Sequence, residues 1–253
     1  MVRGAGMIYR YIDSNLKKLA TVKRNQIWMS SPEDFNDPFD CNFPIMDNFS
    51  AEDFEKIMEL GGKRLCKSPP EREVFLSATE NDKRRFIQNC VAEFRSRIAS
   101  FGVCCFSEVW NSILMWSHYA DKHQGICLGY ENKGFEEQHP GVLNKVRYST
   151  HYPDVRLGQI HRDFNRMLEI YLLTKSVDWR YEREWRLIIT EEACRKRVPS
   201  QLPLKEVIFG VKIDPNRRDC MLKNIDTRID CYDAIHEPIG EYGLTRRKIS
   251  AGG

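Results

Sequence analysis

The sequence predicts an α+β fold: a central, mostly antiparallel sheet with flanking helices and a helical insertion near residues 50–100. Three observations carry that prediction. Short β-rich runs open the chain and fill its second half. Helical spacing is concentrated between them. No internal repeat or low-complexity linker divides the 253 residues, so one domain over about residues 1–240 is the simplest organisation, followed by a disordered basic tail at 241–253.

Met7-Ile8-Tyr9-Arg10-Tyr11-Ile12 reads as a first strand. Asp13-Ser14-Asn15 supplies helix N-cap chemistry ahead of Leu16–Val22, and Gln26–Ser30 reads as a second strand. Ser31 to Asp40 is turn-rich. In the insertion, Ser50 with Asp53 has the form of a capping box, and Phe54, Ile57, Met58 and Cys66 supply an apolar stripe that Pro69-Pro70 breaks. Ile87, Cys90, Val91, Phe94 and Ile98 then keep the spacing of an amphipathic helix, with Lys83, Arg84 and Arg85 on its solvated face. Strands are expected at Phe101–Ser107, Gly125–Tyr130, Asn144–Ser149, Trp185–Thr190, Leu204–Val211 and Ile229–Ile235. Helices are expected at Asn111–Asp121 and across Leu157, Ile160, Phe164, Leu168 and Tyr171.

Composition narrows the function classes. A hydrophobic share of 42% is enough for a packed core and excludes wholesale disorder. Lys and Arg total 39 against 36 Asp and Glu, a net +3 too small to imply nucleic-acid binding through bulk charge, although nucleic acid is not excluded as a partner. No apolar run reaches the roughly 18–20 residues that span a bilayer, so no membrane partner is expected. The amino-terminal residues lack a secretory h-region, which points to a cytoplasmic protein. The nine cysteines are odd in number and scattered, without a C-x-x-C pair, as reduced cytosolic thiols are. Cys104 and Cys105 with His118, His123 and Cys127 come nearest to a metal set. Adjacent strand residues point to opposite faces, however, so no metal is assigned there.

Three stretches could carry chemistry. In Trp179–Thr190, read as one strand, Trp185, Leu187 and Ile189 share one face while Glu182, Glu184 and Arg186 share the other. Paired carboxylates beside arginines suit polarising a hydroxyl or steadying a developing cation, and equally suit a plain structural ion pair. In Leu114–His123, Met115, Trp116 and Tyr119 can pack inward while His118 faces a cleft; His123 falls at the helix end, where the dipole favours a charged imidazole. In Ser30–Asp40, Asn36 and Asp37 are ordinary turn formers, yet Phe35 and Phe39 give the loop the aromatic anchors of a ligand-closing segment.

Together SSPEDFNDPFD, CCFSEVWNSILMWSHYADKHQGICLGYE and LLTKSVDWRYEREWRLI resemble, over roughly residues 8–210, a bacterial family known as domain of unknown function 2971. More loosely, the opening strand, helix and Ile27-Trp28-Met29-Ser30-Ser31 resemble the start of ADP-ribosyltransferase-type toxins. That resemblance implies NAD as cofactor, a nucleotide-like small molecule with an unknown acceptor macromolecule as partners, and a toxin or phage-defence setting. Tyr9 or Arg10 would match the first motif, Ser30 or Ser31 the second, and Glu182-Arg183-Glu184 the paired glutamates of the third. Glu184 would orient the nicotinamide ribose and Glu182 would meet the acceptor; His118 is the further catalytic candidate, and Asn36, Asp37 and Tyr119 the further cofactor contacts. There is no S-T-S triplet, and the His118/Tyr119 helix has no counterpart in that class. The alternatives are a non-catalytic binding or regulatory module, and a metal-dependent nuclease or hydrolase built on Asp37, Asp40, Glu182, Glu184 and His118.

Overall fold

A computed structural model describes residues 6–14, 22–44, 79–155, 163–189, 194–237 and 241–250. The expected helices at Leu16–Val22 and Ser50–Cys66, and the first turns expected from Leu157, lie outside or largely outside the described residues. In chain order the described elements are β1 (Met7–Ile12), β2 (Gln26–Met29), a 3-10 turn (Pro32–Asp34), α1 (Glu80–Ala99), β3 (Gly102–Ser107), α2 (Ile113–Tyr119), β4 (Ile126–Glu131) and α3 (Phe135–Gln138). There follow β5 (Leu143–Lys145), β6 (Arg147–Ser149), α4 (Phe164–Leu173), β7 (Thr174–Ser176), a second 3-10 turn (Val177–Glu182), β8 (Glu184–Ile189) and β9 (Lys196–Pro199). Last come β10 (Leu204–Phe209), α5 (Pro215–Leu222), β11 (Asp230–His236) and β12 (Leu244–Lys248).

The chain forms two compact units: unit one is Met1–Ser30, Gly102–Val146 and Asp178–Gly253, and unit two is Ser31–Phe101 with Arg147–Val177. The helix expected in the insertion is present as α1, started by a capping box in which Thr79 and Asp82 satisfy each other's backbone N–H.

Unit one is built on an eight-stranded sheet in the order β12-β11-β10-β4-β1-β3-β8-β5. Its pairings are antiparallel except that of β10 with β11, so the fold is α+β on a mostly antiparallel sheet. Strand alternation divides the core. Ile8, Cys104, Phe106, Leu128, Tyr130 and Leu187 pack on one face. Tyr9, Tyr11, Cys127, Ile208 and Ala234 pack on the other, under Met115 and Trp116 of α2. That helix is short but well started, with the Ser112 hydroxyl accepting from the Met115 N–H. In unit two, β6 and β7 pair in parallel, and Tyr171 of α4 packs against Phe43 and, edge-on, against Phe94 of α1.

Two elements differ from the sequence expectation for identifiable reasons. Leu244-Thr245-Arg246-Arg247-Lys248, expected within a disordered tail, pairs antiparallel with β11 as strand β12; its basic run buries only Leu244, so the period-2 apolar signal is missing. Asn144–Ser149 is two three-residue strands interrupted at Val146, which bonds the Glu184 carbonyl instead. Among the described residues, no helix is long and apolar enough to cross a membrane.

Candidate functional site

The strand expected to run from Trp179 begins only at Glu184. Glu182 ends the preceding 3-10 turn, and Arg183 between them takes φ 46°, the left-handed region that costs a non-glycine residue about 1–2 kcal/mol. Alternation therefore does not place Glu182 with Glu184, although it does place Trp185 and Leu187 opposite Arg186. The strained residue is held on three sides. Its N–H donates to the Arg180 carbonyl, its carbonyl accepts from the Glu108 N–H, and its Nε donates to Glu108 Oε2 at 2.9 Å. Glu108 Oε1 also accepts from Lys145 Nζ at 2.6 Å and Trp185 Nε1 at 3.0 Å. Burial alone would raise the Glu108 pKa, but these donors and the charges of Lys145 and Arg183 outweigh it and hold the carboxyl below its ordinary value.

Register then assembles a row across the sheet. Glu184 pairs with Ser107, Ser107 with Tyr9, Tyr9 with Gly129, and Gly129 with Glu206. Directly paired residues share a face, so Tyr9, Ser107, Glu184 and Glu206 all project to the side carrying α2. Tyr9 and Glu184 are two strand spacings apart, about 10 Å along the row. Glycine at 129 is required by this row: a Cβ there would lie 2.4 Å from Glu206 Cγ.

Both candidate carboxylates are buried, each residue 3% exposed, and Arg186 is wholly so. Arg186 grips Glu184 in a fork, Nε to Oε1 at 2.8 Å and Nη2 to Oε2 at 3.2 Å. The Tyr119 hydroxyl donates to Glu182 Oε1 at 2.7 Å, and the Ser107 hydroxyl donates to the Glu182 carbonyl at 2.6 Å. Glu182 thus reaches the same neighbourhood by hydrogen bonding, through Ser107 of the row and Tyr119 of α2. Exposed His118 presents its ring edge-on to Tyr119 and Trp179.

The turn after α2 departs from the simple helix end expected. Asp121, Lys122 and His123 take φ 48°, 53° and 71°, three left-handed residues in succession. His123 stacks on Trp116 and its Nε2 meets Ser117 Oγ at 3.1 Å. Burial, with the charges of Lys212 and His236, lowers its pKa, so the environment opposes the protonation that a helix dipole would favour.

The remaining candidates of unit one lie apart from this row. Arg10 alternates with Tyr9 and so leaves the sheet on the opposite face, where Nη2 donates to the Trp28 carbonyl at 3.1 Å and the guanidinium charge acts on the Cys104 thiol. Ser30 exchanges backbone hydrogen bonds with Val103. Three candidates belong to unit two. Ser31 is fully buried, its hydroxyl donating to the Ala99 carbonyl while accepting from the Glu33 N–H, which makes it a cap. Asn36 is exposed. Asp37 is buried, and Oδ1 accepts from the Phe39 N–H. Among the described residues, no three His, Cys, Asp or Glu side chains converge as metal ligands.

Sequence reasoning missed Ser107, Glu108, Glu206 and Arg246. The Tyr9 hydroxyl lies close to the Glu206 carboxylate, and Glu206 accepts from Arg246 Nη1 at 2.6 Å. The Arg246 guanidinium lies over the rings of Tyr232 and Trp110, 4.3 and 5.3 Å from their centroids. Burial and the adjacent Glu206 raise the Tyr9 pKa far above its ordinary value, keeping the phenol protonated.

Residues 115–187 match the family model described as "Protein of unknown function (DUF2971)". The matched segment contains both halves of the cluster, Tyr119 of α2 and Glu182, Glu184 and Arg186 around the start of β8. No curated protein and no solved structure matches the chain.

Proposed function

We propose that the chain belongs throughout to that family, and that the α2-covered face of unit one handles a nucleotide-like substrate in the manner of an NAD-dependent ADP-ribosyltransferase. One observation carries this reading: Tyr9 and Glu184 stand in one cross-strand row, and Glu182 is tied to it through Ser107 and Tyr119. Of the two first-motif candidates, Tyr9 shares the sheet face of Glu184. Burial of two carboxylates and a guanidinium is costly where apolar side chains would pack as well, and such groups concentrate where chemistry needs them. In this reading Glu184, fixed by Arg186, faces the positive charge that develops on the ribose as the bond to nicotinamide breaks. Glu182 takes the proton of the acceptor nucleophile that forms the new bond to the same carbon. His118 and Trp179 supply ring surface for a planar base.

A second reading, a non-catalytic binding module, is favoured by the fork itself, because Arg186 engages both oxygens of Glu184.

Quantifying nicotinamide released from NAD, with cell lysate as the source of acceptors, separates the two. The transferase reading expects release that falls at least about 100-fold in both Glu184→Gln and Glu182→Gln. Circular dichroism on each variant verifies that it is folded. No release from the unaltered protein in any lysate, or unchanged release in both folded variants, overturns it.

A further inference from the structure

We propose that unit two binds a compact organic cation, a primary ammonium or guanidinium on a short aliphatic chain, at a cavity beneath the Pro32–Asn42 loop. The cavity encloses about 300 Å³, the lower end of the range for small-molecule sites, and Pro32, Phe35, Pro38 and Ile98 give it apolar walls. Three acids of the same loop line it, Glu33 at its exposed rim and Asp37 and Asp40 deeper, and the two deeper ones are not equivalent. Asp40 has a cationic partner, Lys175 Nζ, at 3.5 Å in a fully enclosed pair. Asp37 is just as deeply placed, 7% exposed, but its hydrogen bonding ends with Phe39 N–H on one oxygen. Its second oxygen accepts no hydrogen bond from any described residue.

That oxygen is open to water rather than sealed, and in so largely buried a residue a ligand N–H in the cavity can take the water's place on it. The nearby cation of α1, Arg95, also lines the cavity; its charge lies close to the Tyr171 hydroxyl, which donates to the Phe43 carbonyl at 2.7 Å. A small cation would set its N–H groups on Asp37 and lay its methylenes along the proline and phenylalanine walls. The volume limits it to about ten non-hydrogen atoms, and the single unmatched acid favours one cationic head at depth.

Calorimetric titration of putrescine and agmatine into the full chain tests this, with thermal unfolding as a second readout. Binding of at least one amine is expected, weakened at least tenfold by Asp37→Asn and little changed by Glu33→Gln at the exposed rim. Asparagine keeps the oxygen that accepts from Phe39, so the loop is retained, and an unshifted melting temperature of the free variant verifies it. Absence of heat and of thermal shift with both amines at millimolar concentration overturns the proposal. So does binding of inorganic phosphate or AMP that is lost in Arg95→Gln, which would make this an anion site. The outcome is independent of the NAD experiment.

Discussion

Arg186→Met is expected to lower the unfolding free energy by about 3–5 kcal/mol, the penalty for leaving a carboxylate enclosed without its partner. The fork to Glu184 lies entirely inside unit one, with the arginine side chain 0% and the glutamate side chain 4% exposed. The two charges no longer cancel when one is removed, and water does not reach the one that stays. Replacing both, as Glu184→Leu with Arg186→Met, is expected to cost much less than Arg186→Met alone, because two apolar side chains of similar volume need no partner. Urea unfolding followed by tryptophan fluorescence measures the difference. A single replacement costing under about 1 kcal/mol would place the pair among exposed, weakly contributing salt bridges.

Gly125→Ala is the second large expectation, at about 3 kcal/mol. An added Cβ would fall 2.2 Å from the Ile12 carbonyl oxygen and 2.9 Å from that of Ala120, both backbone atoms. Neither can swing away, so β1 or the turn after α2 must shift, and overpacking of this kind costs about 1–3 kcal/mol or more. Gly210 guards the other side of the same turn, its Cβ position lying 2.3 Å from the His123 carbonyl oxygen. Between them these glycines admit the left-handed run Asp121–His123, and the run fixes the end of α2 that carries Tyr119. Gly134→Ala is the contrast. Open space surrounds that position and only its φ of +77° resists a side chain, so a loss of about 1 kcal/mol is expected. Thermal unfolding of the two variants side by side checks the ranking; equal losses would refute the steric argument.

Much of unit one was legible in the sequence because its strands are short apolar runs with clear turn punctuation. Ile126–Glu131 and Gly102–Ser107 are buried along nearly their whole length and read as strands from composition alone. Lys196–Pro199 and Leu244–Lys248 are polar, half-exposed edge partners, whose pairing depends on a neighbour distant in sequence. The glutamate stretch was half legible. Alternation gives the faces of Trp185, Arg186 and Leu187, but no local signal announces that Arg183 turns left-handed and starts the strand at Glu184. The choice between Tyr9 and Arg10 could not be made from composition. It follows from a register joining Tyr9 to Ser107 and Ser107 to Glu184, residues far apart along the chain. Glu206 and Arg246 escaped notice because each sits in an unremarkable local sequence; only the pairings of β1, β4 and β10 bring Glu206 to Tyr9, and those of β10, β11 and β12 bring Arg246 to Glu206.

The most direct test asks which side of the eight-stranded sheet meets the ligand. NAD titrated calorimetrically into the unaltered chain, Tyr9→Phe, Tyr119→Phe and Arg10→Gln compares the two faces with changes of one side chain each. Binding weakened about tenfold or more by either tyrosine change and retained in Arg10→Gln is the predicted result. Binding lost in Arg10→Gln and untouched in both tyrosine variants, or no binding by the unaltered chain, contradicts it.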